Sequence, residues 1–131
     1  MMEKDAALVL AAENGLTDTV RALLDAGADV HAVDDLAMWL AAKNGHADTV
    51  KALLDAGANV HADEDVALRQ AAGGGHTETV KALLAAGADV HVEQDAALQR
   101  AVKNGHTDTV RLLNEWMARE VKKPAEGSET T

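Results

Sequence analysis

The chain of 131 residues has no cysteine, no phenylalanine and no tyrosine. Without cysteine it can form neither a disulfide nor a thiolate metal site, which fits a reducing compartment, and a cytoplasmic location is the expectation. Its only aromatic side chains are Trp39 and Trp116, so packing falls to Ala, Leu and Val, and small residues let helices approach closely. Proline occurs once, at Pro124, and nothing before it removes a backbone donor or kinks a helix. No apolar run reaches the ~18 residues of a membrane-spanning helix. The opening MMEKDAALVLAAENG lacks the basic start and clean apolar core of a secretory leader, so none is expected. Basic residues are scarce too: 12 Lys and Arg face 22 Asp and Glu, for a net charge of −10. That balance argues against binding nucleic acid through phosphates and against an anionic membrane surface. The length fits one domain or one short repeat array.

What the chain does have is a period. The six His fall at 31, 46, 61, 76, 91 and 106, fifteen apart, and the surrounding residues recur every thirty. The chain divides into four blocks, at about 1–30, 31–60, 61–90 and 91–123, forming a single domain over 1–123, with the tail PAEGSETT at 124–131 reading as disordered.

Each block predicts two short helices. The first begins at Asp5, Asp35, Asp65 or Asp95, a residue type whose carboxylate caps the free amides of a first turn. Apolar residues then recur at helical spacing, as in Leu8, Ala11 and Ala12, until Gly15, Gly45, Gly75 or Gly105 closes the helix in the left-handed conformation. The second helix buries Val20, Leu23 and Leu24 and their equivalents. On its exposed side an acid precedes a base by three residues: Asp18 and Arg21, Asp48 and Lys51, Glu78 and Lys81, Asp108 and Arg111. Each such pair is worth about 0.2–0.5 kcal/mol. Leu53 and Leu83, in the central blocks, are candidate core residues.

The segment NGHADTVKALLDAGANVHA resembles the second half of an ankyrin repeat, and ALRQAA is similar to that family's T-P-L-H-x-A-A segment. The resemblance covers roughly residues 5–114 in four tandem matches. It implies an all-α solenoid of four helix–turn–helix repeats, with the first helix of each lining a concave face. The period is 30 rather than 33, and the three missing residues lie before the first helix. Blunt connectors are therefore expected in place of projecting hairpin fingers, with recognition moved to the helix surfaces. The ends depart from the pattern as the ends of a stack must. Leu16 replaces the His of the first block. The last block runs on as RLLNEWMAREVKK, where Val110, Leu113, Met117 and Val121 form an apolar stripe that, with Trp116, covers the end.

The His ladder invites a metal site, but equivalent His on stacked helices stand roughly 8–10 Å apart, whereas a metal needs each nitrogen at about 2.0–2.1 Å. The structural reading is that each His holds a turn through backbone hydrogen bonds. No metal and no cofactor are expected. Gly73-Gly74-Gly75 lacks the strand before it and the Lys-Ser/Thr after it that a phosphate loop needs, and reads as a loosened helix end. Thr19, Thr49, Thr79 and Thr109 read as packing residues. No nucleophile–base–orienter set stands out, so no enzyme is expected.

The informative positions vary while the framework stays fixed. On the first helices, Ala7, Leu8, Ala11 and Ala12 and their equivalents share a buried side. The opposite side carries Ala6, Val9, Leu10 and Glu13, then Leu36, Trp39, Leu40 and Lys43, then Val66, Arg69, Gln70 and Gly73, then Ala96, Gln99, Arg100 and Lys103. Stacked, these make one surface, apolar at its N-terminal half and polar to basic at its C-terminal half. Trp and Arg are enriched among binding hot spots. The candidate site is thus Leu36, Trp39, Leu40, Arg69, Gln70, Gln99 and Arg100, binding a protein partner and neither nucleic acid nor membrane, with the chain monomeric. Trp39 either anchors that partner or lies across Leu10 and Gln70 and seals a repeat junction. The alternatives are self-association through Leu36, Trp39 and Leu40, and an engineered or consensus-like scaffold with no natural partner.

Overall fold

The structure is a computed structural model that describes the backbone of residues 3–122 and the side chains of residues 3–120. Among these residues the chain forms eight helices and no strand: α1 (Glu3–Glu13), α2 (Thr17–Asp25), α3 (Ala32–Lys43), α4 (Ala47–Asp55), α5 (Ala62–Gly73), α6 (Thr77–Ala85), α7 (Val92–Lys103) and α8 (Thr107–Lys122). The expected tail at 124–131 and the Val121 side chain lie outside the described residues.

Paired glycine stops set the repeat. At the end of α3, Gly45 takes φ +76, its N–H donates to the Ala42 carbonyl at 3.1 Å, and the His46 N–H donates to the Ala41 carbonyl at 2.9 Å. This is the double closure that satisfies the last orphan carbonyls of a helix. The next helix starts at once, with the Val50 N–H donating to the His46 carbonyl at 2.9 Å. Gly57 closes α4 in the same way.

The odd helices pack on one another in one layer and the even helices in a second. Alanines 11, 12, 41, 42, 71 and 72 are buried along the odd layer and allow its close spacing. Leu8, Met38 and Leu68 fill the space between the layers from one side, and Val20, Val50, Val80, Leu53, Leu83 and Leu113 fill it from the other. Val110, Trp116 and Met117 of α8 pack against the edge of this core.

The connectors hold what the residue pattern did not announce. Val33, Asp34 and Asp35 all have φ between +53 and +59, and so, within about 10°, do Asp63, Glu64 and Asp65, and Glu93, Gln94 and Asp95. Each connector is one left-handed turn made without glycine. The left-handed conformation costs roughly 1–2 kcal/mol per residue, and in the first two of these turns bonds between distant residues offset that cost.

Those bonds come from the aspartates expected to cap helices, and this is a correction. Asp35 is buried, and its carboxylate accepts the His31 Nδ1–H at 3.0 Å and the Asn59 N–H at 2.7 Å. It therefore ties the left-handed turn at the start of α3 to the turn after α4, rather than serving the first-turn amides. Asp65 does the same with His61 and Asp89, and Asp5 takes the Asp29 N–H.

The six His split into two kinds. His46, His76 and His106 donate from Nε2 to the carbonyls of Glu13, Lys43 and Gly73, each the last helical residue of the preceding repeat's first helix. These hold turns through the backbone as expected. His31, His61 and His91 instead donate to carboxylates. Leu16 stands at the equivalent place in the first repeat, and it is exposed. Thr49, Thr79 and Thr109 are buried, and hydroxyls pair across repeats between Thr17 and Thr49 at 2.8 Å and between Thr77 and Thr109 at 2.9 Å. Thr19, on the outermost repeat, is exposed instead.

Candidate functional site

The outer face of the odd layer is built by the same helix register in each repeat. Positions 39, 69 and 99 are equivalent, one turn into the right-handed part of α3, α5 and α7. Arg69 donates from Nε to the Glu64 carbonyl at 3.0 Å and from its terminal guanidinium nitrogen to the Asp63 carbonyl at 2.9 Å. Gln99 donates to the Gln94 carbonyl at 2.6 Å. Both side chains thus fold back over the left-handed connectors. Trp39 does not find such an acceptor: its indole N–H is buried without a hydrogen-bond partner.

Trp39 is half-buried, and it lines a groove of about 220 Å³ with Val33, Asp34, Leu36, Asp63 and Val66. Val33 is 55% exposed, so the apolar mouth of this groove faces solvent. Leu40 is half-buried on the same helix. The Lys43 ammonium lies 5.6 Å from the Trp39 ring centre, a cation–π distance.

A second groove, of about 400 Å³, opens where the helices end. Lys43, Gln70, Gly73, Gly74, Arg100, Lys103 and Asn104 line it. The seven sequence-derived candidates therefore separate. Leu36 and Trp39 meet at the apolar groove, and Leu40 lies on the same helix. Gln70 and Arg100 meet at the basic one, while Arg69 and Gln99 brace connectors. Val33, Val66, Lys43 and Lys103 were not among those candidates. The two glycines were the available signal, since the other repeats have Glu13-Asn14, Lys43-Asn44 and Lys103-Asn104 at that place.

The remaining charged groups are distributed for stability. Arg21 pairs with Asp18, Lys81 with Glu78 and Arg111 with Asp108 on the even helices, whereas Asp48 and Lys51 do not close a pair. Among the described residues, no three His, Asp or Glu side chains converge as a metal site. His91 donates to Asp95 at 2.7 Å and approaches Glu120 of α8 at 3.3 Å. The hydrogen bond to Asp95, and then the charges of Asp95 and Glu120, raise its pKa above the ordinary His value against some desolvation. The neighbouring carboxyl of Glu93 on the next connector, through hydrogen bonding to the protonated form and through its like charge, raises the Glu64 pKa above the usual carboxylate value. At the far end, Leu84, Ala88, Trp116, Arg119 and Glu120 border a third groove of about 430 Å³, where the Arg119 guanidinium stacks over Trp116 at 5.1 Å.

The fold is a two-layer stack of paired helices with a thirty-residue period, Gly-closed turns and a His bridge between repeats. The family described as "Ankyrin repeats (3 copies)" matches residues 2–64 and again residues 38–123. The chain belongs to the ankyrin repeat family. Ankyrin repeats generally serve as protein–protein interaction modules and are typically not enzymes. No curated protein matches the chain. Among the described residues, no helix of this ankyrin stack is long and apolar enough to cross a membrane.

Proposed function

We propose that this ankyrin stack is a non-enzymatic module that captures one protein partner along the outer face of α1, α3, α5 and α7. Leu36, Trp39 and Leu40 form the apolar anchor. Gln70 and Arg100 supply polar contacts beyond it, Arg69 fixes the connector whose Asp63 walls the anchor's groove, and Gln99 braces the next connector along. The observation that carries this reading is Trp39 itself. It is a large side chain on a solvent-open groove with Val33, Leu36 and Val66, and its indole N–H has no acceptor. An apolar ridge, such as one face of an amphipathic helix, fits a groove of this kind.

The test is affinity capture with mass spectrometry, then titration of the identified partner. Trp39→Ala is expected to weaken binding by at least about 2 kcal/mol, the hot-spot threshold. Lys51→Ala, at an exposed position on α4, should leave it unchanged. Circular dichroism must show both variants folded. If folded Trp39→Ala binds as tightly as the parent while Lys51→Ala abolishes binding, recognition lies on the even helices. Light scattering on the free chain should report a monomer; a dimer that Trp39→Ala dissolves would make this face a self-association surface instead.

A further inference from the structure

We propose that the groove beside Gly73 and Gly74 takes the carboxylate side chains of an acidic, extended segment of the protein partner. The proposal rests on the partner-binding reading above and names the chemistry of a second contact.

The groove is a local exception to the charge of the molecule. The chain carries a net charge of −10, yet Lys43, Arg100 and Lys103 line one opening and none of its lining residues is acidic. Among the described residues none of these three cations makes an ion pair within 4.0 Å or donates a side-chain hydrogen bond to the protein. On the even helices Arg21, Lys81 and Arg111 each have an acid three residues before them within 4.0 Å, and Lys51 alone of that register position has none.

The opening exists because side chains are missing. Repeats two and four place Lys-Asn at the end of the first helix, and repeat three places Gly73-Gly74. Gly73 is right-handed helix, and a β-carbon there would meet Arg100 Cβ at 3.6 Å, an ordinary contact. The backbone therefore does not require glycine at 73. What the glycine does is keep the space between Lys43 and Arg100 clear.

The groove's chemistry selects its occupant. The planar guanidinium of Arg100 offers a two-pronged match to a carboxylate, and Lys43 and Lys103 add point charges on either side. Cations from two repeats flank the glycines of the third between them. An extended chain, advancing about 3.3 Å per residue, can present two or more acids across the space. Lys43 also stacks on Trp39, so an acidic segment here continues directly from the apolar anchor.

The test uses the whole chain, labelled with nitrogen-15, and a hexaglutamate peptide at low ionic strength. The amide signals of Gly73 and Gly74 should shift saturably with peptide, and those of α4 and α6 should not. Arg100→Glu should weaken the titration at least about tenfold, whereas Lys51→Glu, the same charge change on α4, should not weaken it. Gly73→Gln keeps the charge, improves the helix and fills the opening; it should remain folded and weaken binding at least about tenfold. Inorganic phosphate is the second probe. The proposal is overturned if Lys51→Glu weakens the peptide as much as Arg100→Glu, if Gly73→Gln binds as well as the parent, or if phosphate shifts the two glycines and hexaglutamate does not. Hexaglutamate has no apolar side chain, so its titration judges this groove alone, and the Trp39 anchor stands or falls separately on the partner titration.

Discussion

Asp65 and Asp95 occupy the same place in neighbouring repeats, and both accept a hydrogen bond from the His four residues before them. Their surroundings differ. The Asp65 side chain is 5% exposed and also holds the Asp89 N–H, while that of Asp95 is 41% exposed and has no equivalent turn to hold, because α8 runs on. The same contrast runs through the framework. Leu53 is fully buried and Leu23, its equivalent in the first repeat, only half so. A framework residue in this stack gains its value from its neighbours, which is the one-dimensional logic of repeat proteins.

Core truncation should show this contrast most strongly. Leu53→Ala should cost about 2–5 kcal/mol in equilibrium unfolding, and Leu23→Ala clearly less. Equal losses would mean that burial at the centre is not what holds the stack. Next in size is the aspartate pair. Asp65→Ala removes a buried acceptor of two hydrogen bonds and should cost about 1.5–3 kcal/mol. Asp95→Ala, on a solvated site, should cost under about 1 kcal/mol. If both fall together, the left-handed connectors are not held by the bonds to the turn of the next repeat.

A smaller effect concerns the last connector alone. Folding raises the His91 pKa, so the stability it contributes is fully present below the ordinary His value and is lost as pH rises through the raised one. Hydrogen exchange in α8 should therefore be slower near pH ~6 than near pH ~8 after correction for the intrinsic rate. His91→Ala should abolish that difference. A difference that persists in His91→Ala assigns it to some other group.

The residues showed the parts of this structure that depend on local spacing. The thirty-residue period, the glycine stops and the buried Leu53 and Leu83 are all set by patterns within one helix or turn. The connectors were hidden because Val33-Asp34-Asp35 contains no glycine or asparagine to announce a left-handed turn. The Asp35 bond to Asn59 spans 24 residues, so local capping logic misassigned it. The division of the His into carbonyl holders and carboxylate holders was equally invisible, since both kinds sit in the same fifteen-residue ladder. Of the candidate surface, Trp39 stood out by its size and its repeat-to-repeat variation. The basic groove did not, because its lining comes from three repeats and its centre is defined by two missing side chains.

The claim that each repeat constrains the one before it is tested most directly by one substitution made at two glycines. Gly45 and Gly105 have φ +76 and +74, so alanine meets the same backbone strain at either. They differ in the neighbour that a side chain would meet: a β-carbon on Gly45 would press into the His76 ring of the next repeat, and one on Gly105 meets nothing within 4 Å among the described residues. In denaturant unfolding, Gly45→Ala should cost more than Gly105→Ala by at least about 1 kcal/mol, the onset of overpacking penalties. Equal costs would contradict the account, because glycine would then serve its own turn and not the neighbour stacked upon it.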